Sequence, residues 1–224
     1  MIIGKPAPFV RTFIDAVDQA IRQDHPDSGL SAMQRSWLAC CVTATLVTHS
    51  ICWARCERAS LGTYSLAALS WMFRPSTIPW DRLLVASVRV ILRHHGITSG
   101  SLVIDDTENA RSKAAKKLAY LSKLRDKASG GYLWGHSLVF LFLVTPKISL
   151  PVGFVFYQPD PELSAWYRRE KALKKQKAPK AQRPPKPAPK PEYPTKQHLA
   201  LRLLEDFKAT HPDLRVHCIT ADAL

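Results

Sequence analysis

Phe9, Phe13, Val17 and Ile21 recur at helical spacing until "HPDSG", residues 25–29, breaks the pattern, which predicts a first helix. Ser31 with Gln34 forms a capping-box signature ahead of a long apolar stretch, and a second helix is expected to run to about Ser60. "TYSLAALSWMF", residues 63–73, predicts a shorter helix stopped by "RPSTIP". From Trp80 onward, Leu84, Val88, Ile91 and Leu92 share one face until Gly96 ends the run. Residues 8–98 therefore read as a compact bundle of four or five helices.

After residue 98 the period changes. "SLVIDD", residues 101–106, is a short apolar run with β-branched members and predicts a strand that stops at two carboxylates. "NARSKAAKKLAYLSKLRDK", residues 109–127, reads as a basic helix or loop. "GYLWGHSLVFLFLVT" and "PVGFVFYQP" predict long apolar strands joined by "PKIS". Leu199, Leu203 and Phe207 then mark a helix, and "LRVHCITADAL" a last strand ending at Asp222. A hairpin followed by a helical crossover to another strand implies a mixed sheet. The expected class is α+β, with a helical domain over 1–98 and a sheet domain over 99–224.

Between hairpin and crossover helix lies "KALKKQKAPKAQRPPKPAPKPEYP", residues 171–194. Proline at this density disfavours helix and favours extended polyproline II, while the lysines keep the segment solvated. It is expected to be an insertion outside the core, either a spacer or a basic arm laid along phosphates.

Charge narrows the partners. Lys and Arg number 32 against 18 Asp and Glu, a net charge of +14 and a pI near 9.8, which points to nucleic acid or an anionic membrane surface. Trp37–Ala54 carries no charge and approaches spanning length, but its Thr, Ser, Cys, Ala and His content suits a helix inside a protein better than hydrocarbon. The start lacks the long apolar core of a signal peptide. Five cysteines, two of them adjacent at Cys40 and Cys41, argue against a disulfide framework and for a reducing, cytoplasmic setting. Cys52 and Cys56, with His49 nearby, lack a second ligand pair for a structural metal.

The helices flanking "RPSTIP" have the rhythm of a helix-turn-helix, with Arg82, Arg89 and Arg93 available for phosphates, although helical hairpins also arise from packing alone. Asp105 and Asp106 stand where open α/β sheets hold ligands, unless Asp106 simply N-caps a following helix. If helix 196–210 makes a right-handed crossover, its strand lies parallel beside "SLVIDD", and Asp106 and Asp222 end neighbouring strands. Paired carboxylates in a basic protein suit Mg²⁺ or Mn²⁺. Two such ions about 3.5–4 Å apart activate a water or a 3′ hydroxyl for in-line attack on a phosphodiester. Neither GxSxG nor GxxxxGK[ST] is present, and His136 and Ser137, as strand neighbours, face opposite ways and make a poor dyad.

"VIDDT" closing a strand, the hairpin "GYLWGHSLVFLFLVTPKISLPVGFVFYQP", and "ITADAL" after a helix together resemble the front part of a DDE-type insertion-sequence transposase, of insertion-sequence family four and its group 701 relatives. The resemblance spans about residues 80–224. It implies a ribonuclease-H-like fold with an Asp, Asp, Glu triad that binds two divalent metals and cuts and joins double-stranded DNA at terminal inverted repeats, as a homodimer on DNA. By position it implies Asp106 and Asp222 as the first two catalytic and metal-binding acids, with Asp105 as a neighbour that could exchange roles with Asp106. No third acid follows Asp222, so the ribonuclease-H-like domain is expected to be incomplete and the chain an inactive amino-terminal piece. "WYRREK", residues 166–171, superficially resembles the family's Tyr, Arg, Glu, Lys signature, but it precedes Asp222 and Glu170 is expected on a solvated helix. Arg111, Lys113, Lys116, Lys117, Lys123 and Arg125 are expected either to meet DNA or to form a solvated face. Two rival functions remain: a non-catalytic DNA-binding fragment that inhibits the full-length enzyme, and a helical adaptor on anionic membranes. The transposase resemblance implies a cytoplasmic, nucleoid-associated protein.

Overall fold

The computed structural model describes residues 5–60, 62–111, 118–125 and 129–222. Lys113, Lys116 and Lys117 lie outside them. Among the described residues the fold is α+β, with seven α-helices and one mixed five-stranded sheet. The chain divides into two compact units, Met1–Ile97 and Thr98–Leu224.

The first unit is helical. Helix α1 (Pro8–Asp24) begins with proline at its first turn, where a missing N–H costs nothing, and buries Val10, Ile14, Val17 and Ile21. Phe9, expected on that stripe, is exposed instead. After a 3₁₀ turn at Pro26–Ser28, α2 (Ala32–Thr48) opens with the capping box read from sequence. Gln34 N donates to Ser31 Oγ at 3.2 Å, and Ser31 N to Gln34 Oε1 at 2.8 Å.

That helix does not reach Ser60. His49 adopts the left-handed region at φ 50°, and α3 (Trp53–Ala59) leaves at a bend of 89°. Side chains compete with the helical ladder here: Thr48 Oγ1 donates to the Ala44 carbonyl at 2.8 Å, and Cys52 N donates to Ser50 Oγ at 3.2 Å. Among the described residues no single helix is long and apolar enough to cross a membrane, although α2 and α3 taken together have the length and composition.

Ser65 caps α4 (Leu66–Phe73), and α5 (Trp80–His95) ends at Gly96 with φ 59°, a left-handed stop that glycine adopts at no steric cost. Helix α5 lays Ala86 against Val17, Ala20 and Ile21 of α1, while α4 packs on α3. Helices α4 and α5 follow one another across the turn, and the second takes α1 as its main partner. Leu30, Trp37, Leu38, Leu69, Met72 and Ile78 complete this core.

In the second unit, strands β1 (Ser99–Ala110), β3 (Tyr132–Val144) and β4 (Ser149–Tyr157) form an antiparallel meander, joined at the β3 end by β2 (Ser122–Arg125). Asp106 pairs with Val139 and Phe140 with Phe154. Strand β5 (Arg215–Ala221) runs parallel to β1 on its other edge, with Ala221 level with Ile104. Leu102, Ile104, Val139, Leu141 and Leu143 are buried, and helix α7 (Lys196–Thr210) covers β3 and β4 with Leu199 and Phe207 inward. Gly153 admits that helix, since a Cβ there would sit 3.1 Å from the Leu203 side chain.

Two expectations change. Strand β1 continues through Asp106 to Ala110, so Asp106 neither ends a strand nor caps a helix. The segment after it, expected as a basic helix or loop, contains no helix among its described residues: it supplies the end of β1, a turn over 118–120 and all of β2. The cause is β3, long enough to offer backbone partners to both, with Gly135 where a Cβ would lie 2.6 Å from the Asn109 carbonyl oxygen and 2.5 Å from Leu124 Cδ1.

The Lys/Pro tract also departs from its reading. Helix α6 (Pro161–Lys175), capped by Asp160, runs into it, and a 3₁₀ turn forms at Lys180–Gln182. The remainder folds back on α6: Trp166 Nε1 donates to the Pro184 carbonyl at 2.9 Å, Lys190 pairs with Glu162 at 2.6 Å, and Lys186 stands 5.9 Å from the Tyr167 ring centre. An extended chain without internal hydrogen bonds leaves its carbonyls for an outside donor, and the Trp166 indole is one.

Candidate functional site

Alternation along β1 sets the site. Leu102 and Ile104 are buried, Asp106 follows on their side, and Asp105 turns to the exposed side. Because β5 ends at Ala221 opposite Ile104, β1 runs on past its parallel neighbour from Asp105. Asp222 comes directly after β5, exposed, and continuing the register places it level with Asp105. Thus Asp222 follows the end of β5 while Asp106 lies within β1, and the register sets Asp222 beside Asp105, one residue short of Asp106.

Asp106 is not solvated freely. The Lys196 ammonium forms a salt bridge to its Oδ2 and also lies 5.4 Å from the Tyr157 ring centre, within cation–π range. Side-chain exposure is 34% for Asp106 and 21% for Lys196. Lys196 belongs to the first turn of α7, which Thr195 caps by accepting from His198 N at 3.3 Å. Sequence reading missed Lys196 because the pair is ninety positions apart. Its one local signal was a cation at the helix end where the macrodipole disfavours it.

Around the other end of β3, Arg111 Nε donates to His136 Nδ1 at 3.4 Å, which leaves Nε2 as the protonated nitrogen, 2.9 Å from the Ala119 carbonyl. Arg111 therefore braces His136 as well as facing solvent. Ser137 Oγ is buried and, among the described residues, has no hydrogen-bond partner, His136 included. Lys123 and Arg125 both project from β2, exposed, while Leu124 between them is buried. In the helical unit Arg89 is tied to Asp24, Arg82 is half-buried, and Arg93 is exposed in the last turn of α5.

Glu170 lies on α6 as expected but is not solvated: Lys174 stands at 3.0 Å and Arg183 at 4.0 Å, with the side chain 18% exposed. The five cysteines are free. Burial pushes Cys40 up to about 11 and Cys41 up to about 12, which makes them unreactive thiols. Cys52 is exposed while Cys56 is buried.

Asp106 and Asp222 are hard oxygen donors, suited in kind to Mg²⁺ or Mn²⁺. Their number is short: among the described residues no group of three or more His, Cys, Asp and Glu could hold a metal ion. No family model matches the chain, and no curated protein and no solved structure matches it either.

Proposed function

We propose that this chain carries the first two acids of a DDE-type transposase, on a ribonuclease-H-like framework, and acts on the phosphodiesters of double-stranded DNA. One observation carries the reading. Asp106, a partly exposed carboxylate engaged by a cation, lies on β1 beside the end of a parallel strand that delivers Asp222, after an intervening hairpin and helical crossover.

In this reading Asp106 and Asp222 hold Mg²⁺ or Mn²⁺, which supplies activation of a water or 3′ hydroxyl and stabilisation of the leaving oxygen. Two carboxylates position such ions poorly, and misplacement is costly in this chemistry, so full activity requires a third acid beyond those described. Lys123 and Arg125, with the exposed Arg93, meet phosphates, and the net charge of +14 draws the duplex in. The DNA taken is a transposon end with terminal inverted repeats, bound by a homodimer, in the cytoplasm on the nucleoid.

A second reading is a non-catalytic DNA-binding fragment that occupies those ends and inhibits the complete enzyme. The same charge favours it, as does the shortage of acids around Asp106. Nicking of supercoiled plasmid in Mn²⁺ separates the two, with DNA retardation as a control for binding. The first reading predicts weak nicking that Asp106→Asn and Asp222→Asn abolish while retardation persists. Nicking that survives Asp106→Asn contradicts it, and retardation without any nicking selects the second.

A further inference from the structure

We propose that Lys196 is the resident counter-cation of Asp106 and competes with a divalent cation for that carboxylate. The inference rests on the metal-dependent reading above.

The argument begins with where Lys196 stands. The first turn of a helix carries the positive end of its dipole, which disfavours a cation there. Helix α7 has no acidic residue in that turn to offset the effect. The placement is nonetheless held from outside the helix, by the Asp106 carboxylate and the face of Tyr157. Both of these partners of the ammonium belong to the sheet. A lysine is also the side chain suited to exchange: a compact point charge on a flexible stem can withdraw, whereas a forked guanidinium would grip both oxygens.

The Asp106 site is half-open. Its exposure is great enough for an ion to arrive from solvent, and small enough that an unpaired carboxylate would be poorly hydrated. The ammonium keeps Asp106 neutralised in the folded chain, and a divalent cation must displace it. Loading of the site is therefore weaker than an unpaired Asp106 carboxylate would give.

Mn²⁺ titrated into the full chain, with free ion followed by electron paramagnetic resonance, tests this. Lys196→Met is expected to bind Mn²⁺ about fivefold more tightly than wild type, a modest gain because the pair is partly exposed. Lys196→Arg, which keeps the charge, should remain as weak as wild type, and adding Asp106→Asn to Lys196→Met should remove the gain. Equal affinity in wild type and Lys196→Met, including no binding by either, overturns the proposal. So does tightening in Lys196→Arg equal to that in Lys196→Met. Lys196→Gln serves in place of the methionine variant if that one fails to fold. The wider reading fails separately: nicking that survives Asp106→Asn removes the catalytic role without touching the Mn²⁺ competition.

Discussion

Asp18 in the helical unit and Asp106 in the sheet unit are both carboxylates met by cations, and they differ in how completely they are satisfied. Asp18 is 4% exposed and accepts from Arg22 at 3.0 Å, Arg35 at 2.7 Å and the Leu30 N–H at 2.6 Å. It ties α1, α2 and the loop between them. Asp106 is several times more exposed and has Lys196 as its cation. A carboxylate whose lone pairs are spent on buried donors is a structural joint. One held by a single ammonium on a half-exposed strand position keeps capacity for another ligand.

The largest expected effect is on the joint. Asp18→Ala leaves buried donors without an acceptor and should cost about 3–5 kcal/mol, read as a lowered denaturation midpoint by helical circular dichroism. A smaller loss would mean that water replaces the carboxylate, and would narrow the contrast with Asp106. In the sheet unit, Leu141 has no exposed surface, and Leu141→Ala should cost about 2–5 kcal/mol by the same measurement.

The pH response sharpens the contrast. Burial alone would push the Asp18 carboxyl up, but the hydrogen bonds from Arg22, the Leu30 N–H and Arg35 outweigh it and hold the group below its ordinary value. A depressed folded value means that this stability is fully present above the unfolded value of about 3.9 and is lost as pH falls through the folded one. Wild type should therefore lose helical stability on acidification below about pH 4, and Asp18→Asn should lose that part of the pH dependence. Ser31→Ala, which removes the α2 cap, should cost about 1 kcal/mol in denaturant melts. The smallest thermodynamic effect belongs to the tract on α6: Trp166→Ala removes the donor to Pro184 and should speed tryptic cleavage within residues 177–190, with little change in melting temperature. Unchanged cleavage would mean that the tract is not held by that contact.

Much of this was legible in the chain. The Ser31/Gln34 box, the Gly96 stop and the order of hairpin, crossover helix and parallel strand all follow from local chemistry, and the structure has each of them. What escaped was set by distant partners. The break at His49 depends on a non-glycine residue taking the left-handed region, for which Thr48 and Ser50 gave only a weak signal. Strand β1 outran its apolar run because β3 offered it a partner as far as Ala110. Lys196 and the return of the Lys/Pro tract onto Trp166 are contacts between segments that no local pattern joins. Of the candidate site, the placement of Asp106 and Asp222 on adjacent parallel strands was readable and the Lys196 partner of Asp106 was not.

Thermal unfolding of wild type and Asp106→Ala with and without Mn²⁺ tests the role of Asp106 most directly. An ion bound only by the folded chain raises its stability, by about 2.7 kcal/mol at a hundredfold excess over its dissociation constant. The predicted result is a Mn²⁺-dependent rise in the wild-type melting temperature that Asp106→Ala lacks. An equal response in both proteins would place any bound ion elsewhere and leave Asp106, like Asp18, a structural carboxylate.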